Sequence, residues 1–305
     1  MNLRELEYLV AIDEERHFNR AAERCFVSQP TLSGQLKKLE DELNILLVER
    51  NTRQVVMTEA GSAIAERARS VLVEIKNIRE TAAAFHDPMT GDLKIGLIPT
   101  IAPYLLPHIM PELKHQHPKL NLWLHEYQTH VLLQKLKRAE LDLLILALPV
   151  ESDEFSELHL FNEPFQLAVP ENDPLAKHSS ITINDINQRE LILLEEGHCL
   201  RGQTLDVCFK AGARENKGFH ASSLETLRHM VREGMGITLI PELATQKSNQ
   251  LRQNIRYLPF ENNRPSRQVG MLFRKNSYRK QTYINLNRTI IQALQPLLNN
   301  NQLIT

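Results

Sequence analysis

Apolar positions in the first sixty residues recur at helical spacing, which predicts short helices there rather than strands. Leu3, Leu6, Leu9 and Val10 mark one helix over residues 3 to 13, and FNRAAERCF marks a second, in which Ala21 and Ala22 let two helices approach closely. A turn at Val27 and Ser28 follows, then a third helix from Gln29 to Leu43 with Pro30 in its first turn. Leu32, Leu36, Leu39 and Leu43 form its apolar stripe. The opposite face carries Gln29, Thr31, Ser33, Gln35 and Lys37, short polar groups suited to base edges and phosphates. With Ser28 and Pro30 at the helix start, these are the candidate DNA-contacting residues. In LLVERNTRQVVMTEAG the pattern changes to alternation about a basic turn, which predicts a wing with Arg50 and Arg53 placed for backbone or minor-groove contact.

Between residues 58 and 86 the apolar positions Ile64, Ala68, Val71, Ile75, Ile78, Ala82 and Phe85 alternate spacings of four and three, a heptad seam that predicts a long linker helix with a helical partner. A second copy of the chain satisfies this, since a palindromic DNA site needs two reading heads. The run HDPMTG ends the helix. From Gly91 onward, short apolar runs alternate with longer helical ones, the pattern of a mostly parallel α/β sheet. LKIGLI, NLWLHEY and LDLLILAL supply one set of strands, and FQLAVP, LILLEE and GFHA supply another. QVGMLF returns late, before a terminal helix from about Ser277 to Leu298. The predicted organisation is a winged helix-turn-helix over 1–58, a linker helix over 59–87 and an α/β regulatory domain over 91–305. That domain divides into subdomain I (91–162 and 268–305) and subdomain II (163–267), joined near residues 163 and 267.

Composition adds little to this picture and removes several alternatives. The chain has 305 residues, 42% apolar and 24% charged, as ordinary globular proteins do. MNLRELEYLV does not read as a signal peptide, and no run approaches a membrane span. Its formal charge is only −1, yet residues 16 to 38 hold Arg16, Arg20, Arg24, Lys37 and Lys38 against Glu23, a local charge of +4. Three cysteines do not make a disulfide framework and fit a reducing cytoplasm, where a disulfide is a transient signal.

Two of those cysteines, Cys199 and Cys208, stand nine residues apart in GHCLRGQTLDVC. If the intervening chain is helical, their Cα atoms are roughly 13 Å apart, whereas a disulfide tolerates at most about 7 Å. A pair that bridges only by unwinding its own helix is the layout of a redox switch. His198, Arg201 and a helix N-terminus beside Cys199 favour a thiolate. Leu205, Cys208 and Phe209 share a helical stripe that turns Cys208 toward the core. The expected order is attack by Cys199, a sulfenic acid, then capture by Cys208. Thr100, Thr129, His130, Cys199, Ser222 and Ser223 all follow strands, on the rim where open α/β sheets bind ligands. Ser222 with Glu225 also makes a capping-box pattern. A zinc site at His198, Cys199, Cys208 and His220 lacks close CxxC pairs, so no metal is expected, and no cofactor either.

AAERCFVSQPTLSGQLKKLEDELNILLVERNTRQVVMTEAG closely resembles the winged helix-turn-helix of LysR-type transcriptional regulators. The resemblance makes Cys25 a core residue and implies a periplasmic-binding-protein-like effector domain. GLIPTIAPYLLPHIMPEL, LHEYQTH, LEEGHCLRGQTLDVCFKAGA and SSLETLRHMVREGMGITLIPELA narrow it to the peroxide-sensing members of that family. It implies that Cys199 is the peroxidatic and Cys208 the resolving cysteine, that Thr100, Thr129 and His130 surround the hydrogen-peroxide pocket, and that Gln203 lies on the same loop; His198 and Arg201 join that pocket by flanking Cys199. Arg267 matches a supporting arginine, with Arg264 as the alternative register. Such relatives have an acidic residue where this chain has Gly202. The implied partners are double-stranded DNA at a palindromic operator, a second copy as homodimer or homotetramer, RNA polymerase, hydrogen peroxide and a thiol reductant system, in the cytoplasm at the nucleoid, with no membrane and no enzymatic turnover. Two rivals stand beside this reading: a regulator answering a small metabolite bound between the subdomains, and a thiol peroxidase with a DNA-binding head.

Overall fold

The computed structural model describes residues 1–50, 55–84, 87–246, 254–261 and 264–298. The chain forms two compact units, Met1–His86 and Asp87–Thr305.

In the first unit, α1 (Leu3–Glu15) opens on a capping box in which Glu5 N donates to Asn2 Oδ1 at 3.0 Å and Asn2 N donates to Glu5 Oε2 at 2.8 Å. Helices α2 (Phe18–Arg24) and α3 (Gln29–Leu43) pack on it around Leu9, Ile12, Ala21, Ala22, Leu32, Leu36 and Leu39, with Cys25 partly buried against the same core. Ser28 caps α3, its Oγ accepting from Thr31 N at 3.3 Å. Ser28→Ala is expected to cost about 1 kcal/mol in urea unfolding of the full chain, because one first-turn amide loses its acceptor. The predicted stripe of α3 needs one correction: Leu43 is 36% exposed, and Glu40 is buried in its stead. The Glu40 carboxylate accepts from the amides of Leu47 and Val48 at 2.8 and 3.2 Å, tying the helix to the wing. The wing itself is the antiparallel pair β1 (Val48–Arg50) and β2 (Val55–Met57). Arg53 and the side chain of Arg50 lie outside the described residues.

Helix α4 (Glu59–Ala84) starts where only glycine fits, since a Cβ on Gly61 would collide with the Leu47 carbonyl. Its seam divides. Ala68 is buried with Leu6 and Val10 of α1, so the first turns are covered within the chain, whereas Val71, Ile78 and Ala82 are exposed. Phe85 lies outside the described residues.

The second unit runs β3 (Gly91–Leu97), α5 (Ala102–Gln116), β4 (Leu120–Glu126), α6 (Thr129–Lys137), β5 (Leu143–Leu148), β6 (Phe155–Pro170), β7 (Glu190–Leu194), α7 (Cys199–Ala211), β8 (Arg214–Ala221), α8 (Leu224–Arg232), β9 (Thr238–Pro241), β10 (Ile255–Pro259), β11 (Ser266–Arg274) and α9 (Lys280–Leu294). The main sheet has the order β10-β6-β11-β5-β3-β4, with β9 also on β6, and β7 pairs in parallel with β8 while a parallel bridge from Leu191 to Ile237 links it to the start of β9. The expectation of a mostly parallel sheet is corrected. β3 is parallel to β4 and β5, but β6 and β11 are antiparallel to each other, and their other neighbours on that sheet are antiparallel too. The reason is β6, which is 16 residues long and passes from one core into the other, so that β9, β10 and β11 pair along it in the opposite direction. Phe155, Leu160 and Phe161 belong to a core with β3, β5, α5 and α9, whereas Phe165, Leu167 and Val169 belong to a second with β7, α7 and α8.

Candidate functional site

Cys199 is the first residue of α7 and joins the two cores. Its neighbour Leu200 is buried in the core around β7, but Cys199 itself is half-buried against the core around β3 and β5. The loop before it presses on α6: Gly197 holds φ +94°, and a Cβ there would run into the Gln128 side chain, which directly precedes Thr129. Thr129 Oγ1 is buried without a conventional hydrogen-bond partner, and the group it faces is the Cys199 thiol.

Arg267 is the cation whose charge acts on this thiol. It is 3% exposed, and its Nη1 and Nη2 donate to Thr100 Oγ1 at 2.9 Å and Thr100 O at 2.8 Å. Its Nε donates to Glu163 Oε2 at 2.8 Å, and the two side chains form an ion pair, each 1% exposed. Arg264, the alternative register, instead donates to the Phe260 carbonyl. Gln203 stands one helical turn beyond Cys199, on the same face of α7, with its Oε1 buried and unpartnered. Thr100, Thr129, Cys199 and Arg267 therefore form one constellation, with Gln203 on the same face of α7 as Cys199.

The electrostatics differ from expectation. Burial pushes the Cys199 thiol up, and the Arg267 charge, the Thr129 hydroxyl and the local backbone only oppose that push. Arg201, expected to favour the thiolate, faces away: its guanidinium donates to Leu194 O at 3.1 Å and Glu215 Oε1 at 2.7 Å. His198 is buried and bonded to the Ser222 backbone, and burial holds its pKa below the ordinary imidazole value, so it is neutral at pH 7. His130 is exposed on the first turn of α6. The cation that opposes the burial of Cys199 is Arg267 of β11, and neither flanking residue supplies it.

Phe209 is 78% exposed, and the buried stripe of α7 is Leu200, Thr204, Val207 and Ala211. The side chain of Cys208 lies outside the described residues, although its backbone is within the continuous helix. Helix α8 begins one residue later than the Ser222–Glu225 box requires: Ser223 caps it through Thr226 N at 3.2 Å. Glu225 instead accepts from Tyr104 Oη at 2.8 Å and Arg228 Nη1 at 2.9 Å, while Ser222 is exposed. His220 Nε2 is 3.1 Å from Glu215, and among the described residues no group of three or more His, Cys, Asp or Glu gathers to hold a metal ion. The sequence reading also missed Glu163.

On the other unit, Gln29, Pro30, Thr31 and Lys37 are exposed along α3, with Ser33 and Gln35 half-buried beside them. The local charge of +4 is largely neutralised: Arg16 pairs with Asp13, Arg20 with Glu15, Arg24 with Glu14 and Glu15, and Lys38 with Glu5. Such pairs are weak in water. Phe26, 95% exposed at φ 55° between α2 and α3, is a further surface residue that helical periodicity did not single out.

Among the described residues no helix is long and apolar enough to cross a membrane. Residues 3–62 match the lysR family of bacterial regulatory helix-turn-helix proteins, and residues 86–295 match the LysR substrate binding domain. The chain is 49% identical over 290 residues to the DNA-binding transcriptional dual regulator OxyR of Escherichia coli strain K12, covering 95% of both. It is 47% identical over 298 residues to the hydrogen peroxide-inducible genes activator of Haemophilus influenzae, covering 98% of this chain and 99% of that one. Full-length OxyR C199D from Pseudomonas aeruginosa superposes with a TM-score of 0.80 at 38% identity, over 100% of this chain and 98% of that chain. With both halves matched and relatives alike along nearly the whole length, the chain belongs to the LysR family of bacterial transcriptional regulators, within its OxyR group.

Proposed function

We propose that this chain is a DNA-binding transcriptional regulator switched by hydrogen peroxide, with Cys199 as the peroxidatic thiol and Cys208 as the resolving one. The observation that supports this best is the position of Cys199, at a helix start between two cores, facing Thr129 and opposed by a buried arginine. The Cys199 thiolate donates an electron pair to one peroxide oxygen, the O–O bond breaks, and the other oxygen leaves as hydroxide and takes up a proton. Sulfur is thereby oxidised to a sulfenic acid. The Cys208 thiolate then attacks that sulfur and displaces its hydroxyl as a second water. Two thiols and one peroxide become one disulfide and two waters. Thr100 suits the first step, because its oxygen already accepts from Arg267 and its own proton is free to be donated.

The second step requires movement. Nine residues of helix hold the Cα atoms roughly 13 Å apart, so α7 unwinds before the bond closes. Gly202 lies in that helix with nothing within 4 Å of where its Cβ would be. Gly202→Ala is expected to strengthen α7 by roughly 0.5–1 kcal/mol and to slow disulfide closure about two- to fivefold. Sulfenic acid formation in a Cys208→Ser background should stay unchanged; rapid quench and thiol mapping follow both.

For the output, Ser28 to Lys37 of α3 enter the major groove, Arg50 and Arg53 contact the backbone or minor groove, and two copies read a palindromic operator. The exposed Val71 and Ile78 of α4 supply the pairing face, and two such dimers form a tetramer that contacts RNA polymerase. One peroxide is consumed per disulfide and a thiol reductant system resets the switch, so the chemistry is stoichiometric signalling in the cytoplasm rather than turnover. The test is thiol mapping by mass on peroxide-treated full-length protein with DNA footprinting. A Cys199–Cys208 disulfide with an altered footprint is expected; two free thiols and an unchanged footprint would overturn the reading.

A further inference from the structure

Glu163 and Arg267 lie opposite each other in the β6–β11 ladder, where one core gives way to the other. A buried pair of this kind is tolerated only when nearly all its hydrogen-bonding capacity is used. Oε2 of Glu163 accepts from Arg267 Nε and Nη2 at 2.8 and 2.7 Å, and Oε1 accepts from Leu243 N at 3.0 Å. Arg267 gives its remaining contacts to Thr100. The other charged or titratable groups around Cys199 are placed elsewhere. His198 on α7 is buried against Ser222, Arg201 is bound to Glu215, His130 on α6 is exposed, and Glu195 and Glu196 of the preceding loop are exposed.

Resting on Cys199 as the reactive thiol, we infer that Glu163 is a positioning residue that sets the reactivity of Cys199 through Arg267. It fixes the guanidinium against Thr100 and offsets part of its charge, so that the thiol meets a partly cancelled cation. A lone arginine in that position would lower the pKa of a neighbouring acid more strongly. The carboxylate thus acts as a brake on thiolate formation in the resting protein, and Oε1 ties that brake to the turn at Glu242–Thr245.

The experiment is the pH dependence of Cys199 alkylation by iodoacetamide in the full-length protein, followed by peptide mass. In Glu163→Gln the amide oxygen still accepts from Arg267 but the countercharge is gone. The midpoint is expected to fall by about one pH unit, and alkylation at pH below it to quicken about tenfold. Glu163→Asp, which restores the charge, should return the midpoint to within a few tenths of wild type. An unchanged or raised midpoint in Glu163→Gln would overturn the inference. Should that variant not fold, the double change Glu163→Gln with Arg267→Gln removes both charges and suits a buried site. Its midpoint is expected to match that of Arg267→Gln alone and to lie above wild type, because the carboxylate acts through the guanidinium; a midpoint well below that of Arg267→Gln would overturn it. Oxidation of wild-type Cys199 by peroxide, measured in parallel, tests the underlying reading separately.

Discussion

Cys199→Ser is expected to abolish the response to peroxide while leaving the fold intact. The exchange replaces one half-buried small side chain by another of similar shape, but a serine hydroxyl does not ionise in the accessible pH range and cannot form a sulfenic acid. The DNA footprint of this variant should be the same with and without peroxide. Cys208→Ser separates the two steps: Cys199 should gain one oxygen and stop there, trappable by a dimedone-type reagent. Oxidation of Cys199 should also quicken as pH rises, because burial pushes its thiol up and only the thiolate attacks. Below the midpoint the gain is about tenfold per pH unit. A Cys199→Ser protein that still switched would return the molecule to the class of LysR-type proteins that answer a bound metabolite.

Arg267→Met is expected to destabilise the regulatory unit by about 3–5 kcal/mol, the cost of leaving one member of a buried ion pair alone. Glu163, 1% exposed, has no water to turn to. The same change strips Thr100 Oγ1 and O of their donors and removes the charge that opposes the burial of Cys199. The variant should therefore unfold at much lower urea, and where it is still folded its Cys199 should be oxidised more slowly. A wild-type urea midpoint would mean that the pair contributes little to the cohesion of the two cores.

The parts of this molecule that could be read from its sequence are those where a residue's role depends on neighbours within a few turns. The stripe Leu32, Leu36, Leu39 and the Pro30 start of α3 were visible for that reason, as were the buried strand LDLLILAL and the helical separation of the two cysteines. The errors arise where sequence proximity and spatial proximity part. His198 and Arg201 flank Cys199 in the chain and both turn elsewhere, whereas Arg267 arrives from β11. Glu163 carries no local signal at all, since its partner is 104 residues away. The local basic excess before α3 is visible in the sequence, whereas its pairing with acids of α1 at Arg16, Arg20 and Arg24 is set by packing. Phe209 fitted a plausible periodicity but on the wrong side of α7, whose weak amphipathicity leaves the choice of face to packing.

The unbroken β6 has a mechanical consequence. Proteins that clamp a ligand between two lobes rely on a few loop residues to absorb the change in backbone angles. Here one of the connections between the lobes is a strand laddered along its length to β11, β10 and β9. It behaves as a stiff keel, and bending it where the lobes meet would break its ladder to β11. A signal raised at Cys199 is therefore expected to leave the two halves of the regulatory unit in register and to emerge as an altered outer surface around α7, the part of the hull not fastened to that keel.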